Sequence, residues 1–173
     1  FSALAKGAKR LKGPFDAALD LLSTCRIVFI RKSSGTLSIL TQASLESRFS
    51  PVSGSLNSLY GGYYVADLLC SLTEDEDADP EIYDLAYAAL KELSDPEADS
   101  AASIIQFEIG LLRQAGLFPN LSECSVCGQS VTSEKKYAHW VSQGGLLCSD
   151  CRRQEYSGKS ISAGAVAILK RMS

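Results

Sequence analysis

The sequence is poor in the residues that build most hydrolytic and redox centres. It has one histidine, one methionine and one tryptophan in 173 residues. A Ser-His-Asp relay or a metal hydrolase needs imidazoles placed against a nucleophile or against one another. With His139 alone, either is hard to build. A serine–lysine pair is formally available, and nothing marks one. There is no G-x-x-x-x-G-K-[ST] stretch, which excludes a P-loop NTPase from this segment. Gly61-Gly62 does not follow a strand, so it reads as helix packing and not as a dinucleotide fingerprint. Asp75, Asp77 and Asp79 alternate as in a calcium loop. However, Pro80 stands where that loop needs glycine and Ala86 where it needs glutamate, which leaves a solvated acidic linker. No apolar run approaches the length of a membrane span, and nothing resembles a signal peptide. Internal repeats and long low-complexity tracts are also missing.

What the chain does have is a cysteine pattern. Cys124, Cys127, Cys148 and Cys151 form two C-x-x-C pairs separated by a loop of 20 residues. A C-x-x-C turn points two sulfurs to one side of a backbone knuckle. Two facing knuckles make a tetrahedral S₄ cage, the geometry that suits Zn²⁺, and the loop length falls within the zinc-ribbon range. Gly128 follows the first pair, where the knuckle turns sharply and a residue without Cβ is favoured. Residues 136–141 read as a strand, Gly144-Gly145 as a turn, and Leu146-Leu147 as a return strand that delivers Cys148. Two disulfides would suit a secreted chain, and a redox pair would need a single C-x-x-C in a βαβ context. With four cysteines filling the site no position is left for water, so the expected zinc is structural. His139 then reads as a partly exposed hairpin residue. Lys135, Lys136, Arg152 and Arg153 crowd the module and would offset the negative charge of zinc held by four thiolates.

Formal net charge is −3, but the charges are segregated. Residues 1–48 hold eight Lys/Arg against three Asp/Glu, residues 49–120 two against thirteen, and residues 121–173 seven against four. Basic ends flank an acidic middle, which points to an anionic partner for the basic parts. Residues 1–5 read as the tail of a strand. Lys6, Lys9, Arg10 and Lys12 follow in a loop that Gly7, Gly13 and Pro14 keep irregular. Four cations beside a small β unit make a natural phosphate-contact site, since small β-barrels with basic loops often hold single strands. Residues 25–31 and 36–41 read as a hairpin about Ser33-Ser34-Gly35.

From about Ala43 the pattern turns helical. Leu56, Leu59, Tyr60, Tyr63, Tyr64, Leu68, Leu69 and Leu72 recur at three- and four-residue steps; the tyrosines offer a base-stacking platform as the alternative, but this spacing amid leucines reads first as core packing. Asp79-Pro80 opens a second helix, with Ile82, Leu85, Ala86, Ala89, Leu90 and Leu93 as its buried face. A third runs from about Asp99 to Gly116, a C′ glycine, with Pro119 beyond. Cys25 and Cys70 read as buried free thiols. The chain begins at Phe1 within an apolar run and ends within a helix spanning 163–172, both as expected of a fragment.

In this order the parts resemble the RecO family of bacterial recombination mediators. Ala5-Lys6-Gly7-Ala8-Lys9-Arg10 is similar to the basic loop after that family's third barrel strand. Leu59-Tyr60 through Leu68-Leu69 is similar to its first long helix. Phe107-Glu108, Leu111-Leu112, Gly116, Pro119, Leu121, Cys124, Cys127, Gly128, Gly144-Gly145, Cys148 and Cys151 resemble its most distinctive stretch in order and spacing. The family's first two barrel strands and last helices have no counterpart here. The resemblance implies an α+β architecture: a partial OB-fold (oligonucleotide-binding) β-barrel at 1–45, then an all-α domain at 46–173 with an embedded zinc module at 121–156. It implies a non-enzymatic DNA repair role in the bacterial cytoplasm, at the nucleoid. That role includes binding of single- and double-stranded DNA, annealing of complementary strands, and work with RecR. It also implies contact with the C-terminal tail of single-strand binding protein, and assistance to RecA loading. The alternative is a zinc-ribbon module whose partner is a protein and which does not bind DNA.

Overall fold

The computed structural model describes residues 2–8, 15, 18–32, 37–75, 77–132, 136–140, 144–153 and 160–172. The chain divides into two compact units, residues 1–104 and 105–173. It is α+β.

The first unit opens with strands β1 (Ala3–Ala5), β2 (Ser23–Ile30) and β3 (Ser38–Arg48), in the order β1-β3-β2. β3 pairs antiparallel with β2 and parallel with β1. Phe15, Ala18, Leu40 and Ala43 form a small core, with Cys25, Ile27 and Phe29 packed against it. Among the described residues this is an open three-stranded sheet and not a closed barrel. The expected hairpin is present, although its turn lies outside the described residues. The expected helix start at Ala43 is not. β3 runs on to Arg48, because Ile27 pairs with Ala43 and Ser23 with Arg48. Ala, Leu and Glu favour helix only weakly, and a ladder of paired backbone groups on a long partner strand overrides them.

Helices α1 (Leu56–Leu72) and α2 (Pro80–Leu93) follow, then α3 (Ser100–Gln114), within which the boundary between units falls. Their ends obey local chemistry. Ser55 caps α1, accepting from the Ser58 N–H at 3.2 Å. Asp79 caps α2, accepting from Glu81 and Ile82 N–H groups at 2.9 and 3.0 Å, with Pro80 in the first turn. Asp99 does the same for α3 through Ala101 and Ala102. Gly116 closes α3 with φ 67° in a Schellman motif: Leu117 N–H donates to Leu112 O and Gly116 N–H to Arg113 O.

The buried face of α1 is not the leucine–tyrosine stripe. It is Ser58, Gly61, Gly62 and Val65. Tyr60, Tyr63 and Tyr64 are 61, 47 and 38% exposed, so their assignment to the core fails. The reason is close approach. A Cβ on Gly61 would stand 3.0 Å from Leu93 Cδ2, and one on Gly62 would stand 2.5 Å from Phe49 Cε1. Small residues let neighbours seat against the α1 backbone, and the large ones turn outward. The Ser58 hydroxyl, fully buried, donates to Leu93 O at 2.6 Å and so satisfies one of the carbonyls that the end of α2 leaves open. Cys25 is half-buried as a packing thiol, but Cys70 is exposed, contrary to the sequence reading. Gly62→Ala should cost about 1–3 kcal/mol through overpacking, against the roughly 1 kcal/mol that alanine ordinarily adds to a helix. Urea denaturation decides the sign, and a net gain would show that Phe49 moves aside freely.

Candidate metal centre

The second unit carries β4 (Asn120–Cys124), β5 (Tyr137–Trp140), β6 (Gly145–Leu147), β7 (Ser160–Ile161) and helix α4 (Ala163–Met172). The strands form one sheet in the order β4-β6-β5-β7. β5 and β6 are the expected hairpin, with Ala138 opposite Leu147 and Trp140 opposite Gly145. Gly144 takes φ 65°, which turns the chain. Gly145 is needed for another reason: a Cβ there would collide with Ser125 Oγ and stand 3.2 Å from the Asn120 carbonyl. Packed side chains of Leu121, Tyr137, Leu146, Leu147 and Val166 enclose the inner pair of cysteines. Tyr137 is 1% exposed, and its hydroxyl accepts from Thr132 N–H at 2.7 Å.

The first knuckle is held by its own backbone. Gly128 N–H donates to Cys124 O at 2.9 Å, and Cys124 N–H to Gln129 O at 2.8 Å. Gly128 has φ 70°, so the glycine expected there is required. Ser125 N–H donates to Leu146 O at 2.8 Å, which pins this knuckle to the strand that presents Cys148. The sequence did not reveal β4, β7 or the docking of α4 on this core. Asn120–Cys124 has little apolar alternation, and β7 has only two residues.

The four sulfurs converge. All lie within 4.8 Å of one another, and Cys127 Sγ is 3.7 Å from Cys148 Sγ. Four sulfurs at tetrahedral positions around Zn²⁺, with Zn–S near 2.3 Å, would be about 3.8 Å apart. All four cysteines are free thiols, so the paired-disulfide alternative is not realised. Cys124 and Cys148 are buried, Cys151 is half-buried and Cys127 faces solvent. This donor set fits a metal ion that prefers soft, tetrahedral ligands.

The thiols also divide electrostatically. Burial pushes the Cys124 thiol up, but N–H groups of Cys127, Cys148 and Val126 more than offset it and hold it at about 6. Cys151 is pushed up to about 12 by the Cys127 and Cys148 thiols beside it, with burial adding to the effect. Gln129 N–H favours the Cys127 thiolate, yet its thiol neighbours leave it raised. Crowded thiolates repel, so the cage ionises fully only around a cation.

Of the other expected site residues, Lys6 is exposed in the turn after β1, beside Gly7 with φ 85°. Lys9, Arg10 and Lys12 lie outside the described residues, as does Lys135. Lys136 and Arg153 are exposed and Arg152 is half-buried near the second knuckle. His139 is half-buried on β5, as expected of a hairpin residue.

A small mixed sheet carrying two cysteine knuckles and backed by a helix defines a ribbon-type module whose four sulfurs could hold a metal ion. The family model described as "Recombination protein O C terminal" matches residues 53–173. "DNA repair protein RecO" of Rhodopirellula baltica is 37% identical over 172 residues, covering 99% of this chain and 63% of the relative. The protein of the same name from Desulforamulus reducens is 30% identical over 148 residues, 86% of this chain and 57% of the relative. That of Anaeromyxobacter dehalogenans strain 2CP-C is 31% identical over 171 residues, 99% of this chain and 66% of the relative. The chain belongs to the RecO family of DNA repair proteins. It spans about two thirds or less of the length of these curated relatives. Among the described residues no helix is long and apolar enough to cross a membrane.

Proposed function

We propose that this chain is the zinc-bearing core of a recombination mediator that binds single- and double-stranded DNA and anneals complementary strands at the bacterial nucleoid. The observation that carries this reading is the four-sulfur cage, seated inside the stretch that matches the family model. In this reading Cys124, Cys127, Cys148 and Cys151 hold one structural Zn²⁺. The ion cross-links the two knuckles and supplies no reacting group. The β unit of residues 1–45 belongs to an oligonucleotide-binding barrel, and Lys6, Lys9, Arg10 and Lys12 meet phosphates. Residues 46–173 form the helical domain, with its zinc module at 121–156, and the protein works with RecR and contacts the C-terminal tail of single-strand binding protein. Through these contacts the protein assists RecA loading.

Annealing needs no covalent chemistry. Two strands repel through their phosphates, and a protein that neutralises charge on both raises their effective concentration. The acidic middle must then stay away from DNA. The test is annealing of complementary labelled oligonucleotides by the chain carried in its full-length protein. Annealing well above the spontaneous rate is expected. The triple substitution Asp75→Asn, Asp77→Asn and Asp79→Asn should leave DNA affinity unchanged or slightly raised, because asparagine still caps α2. No annealing and no binding at low salt would leave a protein-interaction ribbon in place of a mediator. A large loss in the triple variant would place the acidic connector on the DNA.

A further inference from the structure

The acidic connector is not merely solvated. Within the first unit it rims a groove of about 480 Å³ between the end of β2, the last turn of α1 and the first turns of α2. Phe29, Leu69, Ile82 and Ala86 give it apolar walls. Glu74, Asp77 and Asp79 bring three carboxylates to its lining against the one guanidinium of Arg31. Asp79 Oδ1 is committed to capping α2. The carboxylates of Glu74 and Asp77 have no hydrogen-bond or ion-pair partner among the described residues, and both side chains are exposed. Tyr83 also lines the groove, is 54% exposed, and stacks parallel on Tyr87 with ring centroids 6.4 Å apart. The last turn of α1 contains no basic residue of its own, so the negative end of that helix adds to the acidic character of the groove.

We propose that this groove docks an arginine side chain from a basic, apolar segment of a partner protein. Arginine matches each feature. Its methylene stem is apolar and suits the walls, while its planar guanidinium forks onto carboxylates and stacks on aromatic faces. The end of α1 favours the same charge. Nucleic acid and acidic peptides are disfavoured, because the lining carries an excess of two negative charges. The groove therefore gives the acidic middle a role that DNA binding leaves open, and it does not depend on the basic loop.

The test uses the 173-residue chain and a short labelled peptide of alternating leucine and arginine. A second peptide has citrulline, the neutral isostere, in place of arginine, and oligothymidine is the nucleic-acid probe. The arginine peptide should shift the backbone amide signals of Leu69, Ile82 and Ala86. The citrulline peptide should bind at least roughly tenfold more weakly, the usual effect of removing a hydrogen-bonded charge. Glu74→Gln with Asp77→Asn should weaken the arginine peptide by a similar factor, and Tyr83→Ala should weaken it several-fold. The control is Glu92→Gln with Glu97→Gln, which removes the same charge outside the groove and should change little. Equal loss in the control would reduce the effect to general attraction and overturn the proposal. So would oligothymidine shifting the groove amides, or sedimentation showing that a second copy of this chain covers them. Because Asp77→Asn leaves DNA affinity intact in the mediator reading, failure of either idea is visible without the other.

Discussion

Cys124→Ser will remove the metal and the cooperative unfolding of the second unit together. The wild-type chain should carry about one zinc, as a single four-thiolate site requires. The variant should carry close to none. Cys124 is 1% exposed, and its sulfur accepts Cys148 N–H at 3.4 Å, so it sits where the two knuckles join. Serine there is a poor ligand for zinc. Structural zinc contributes on the order of 10 kcal/mol of apparent folding free energy in the smallest domains, similar to the whole stability of a domain at about 5–15 kcal/mol. Metal analysis and thermal melting should change in step, and a chelator should reproduce the variant's melt in the wild type. Cys70→Ser, on the exposed side of α1, is the control and should do neither.

The binding also has a proton signature. Cys127 and Cys151 have raised pKa values and are protonated at pH 7, so loading zinc must expel at least those two protons. Protons and metal compete for the same sulfurs, so affinity rises with pH and falls with acid. A bound cation keeps its thiolate ligands deprotonated, so release should come only in acid well below neutral pH, where protons outcompete the metal for the four sulfurs. Proton release measured in buffers of different ionisation enthalpy checks this. A zinc-free chain with two disulfides by mass would remove the metal centre altogether.

Substituting Lys6, Lys9, Arg10 and Lys12 together should flatten the salt dependence of single-strand binding. Each phosphate neutralised on a single strand contributes about −0.7 to the slope of log K against log salt. Loss of all four cations removes up to about 3 units. Over a fourfold change in salt this is a roughly 50-fold change in affinity that the variant no longer shows. The loss should be similar for different base sequences, since phosphate contacts position a strand without reading it. Lys135, Lys136, Arg152 and Arg153 are the comparison. Neutralising them should cost metal-site stability or partner binding more than it changes the salt slope. Fluorescence anisotropy of a labelled oligonucleotide across several salt concentrations, in the full-length protein, measures both. An unchanged slope, with the fold intact by circular dichroism, would take the loop off the binding surface.

The sequence by itself determined the features that depend on a few neighbouring residues. Two C-x-x-C pairs at ribbon spacing foretold the convergence of four sulfurs, because the geometry of each knuckle is set within a few bonds. Gly128 and Gly116 marked positive φ, since other residues are strained there. Asp79-Pro80 and Asp99 marked helix starts, because caps satisfy N–H groups two and three residues away. Tertiary structure alone decided which faces are buried and how far strands extend. On α1 the periodic leucines and tyrosines indicated a helix but not its inward face. Close approach by Leu93, Ile104 and Phe49 chose Ser58, Gly61, Gly62 and Val65 and turned the tyrosines outward. Residues 43–48 have weak helical preference, and pairing with β2 made them strand. The acidic connector became the rim of a groove only because β2, α1 and α2 meet there. Burial and pairing are set by partners distant in sequence, and no local pattern contains them.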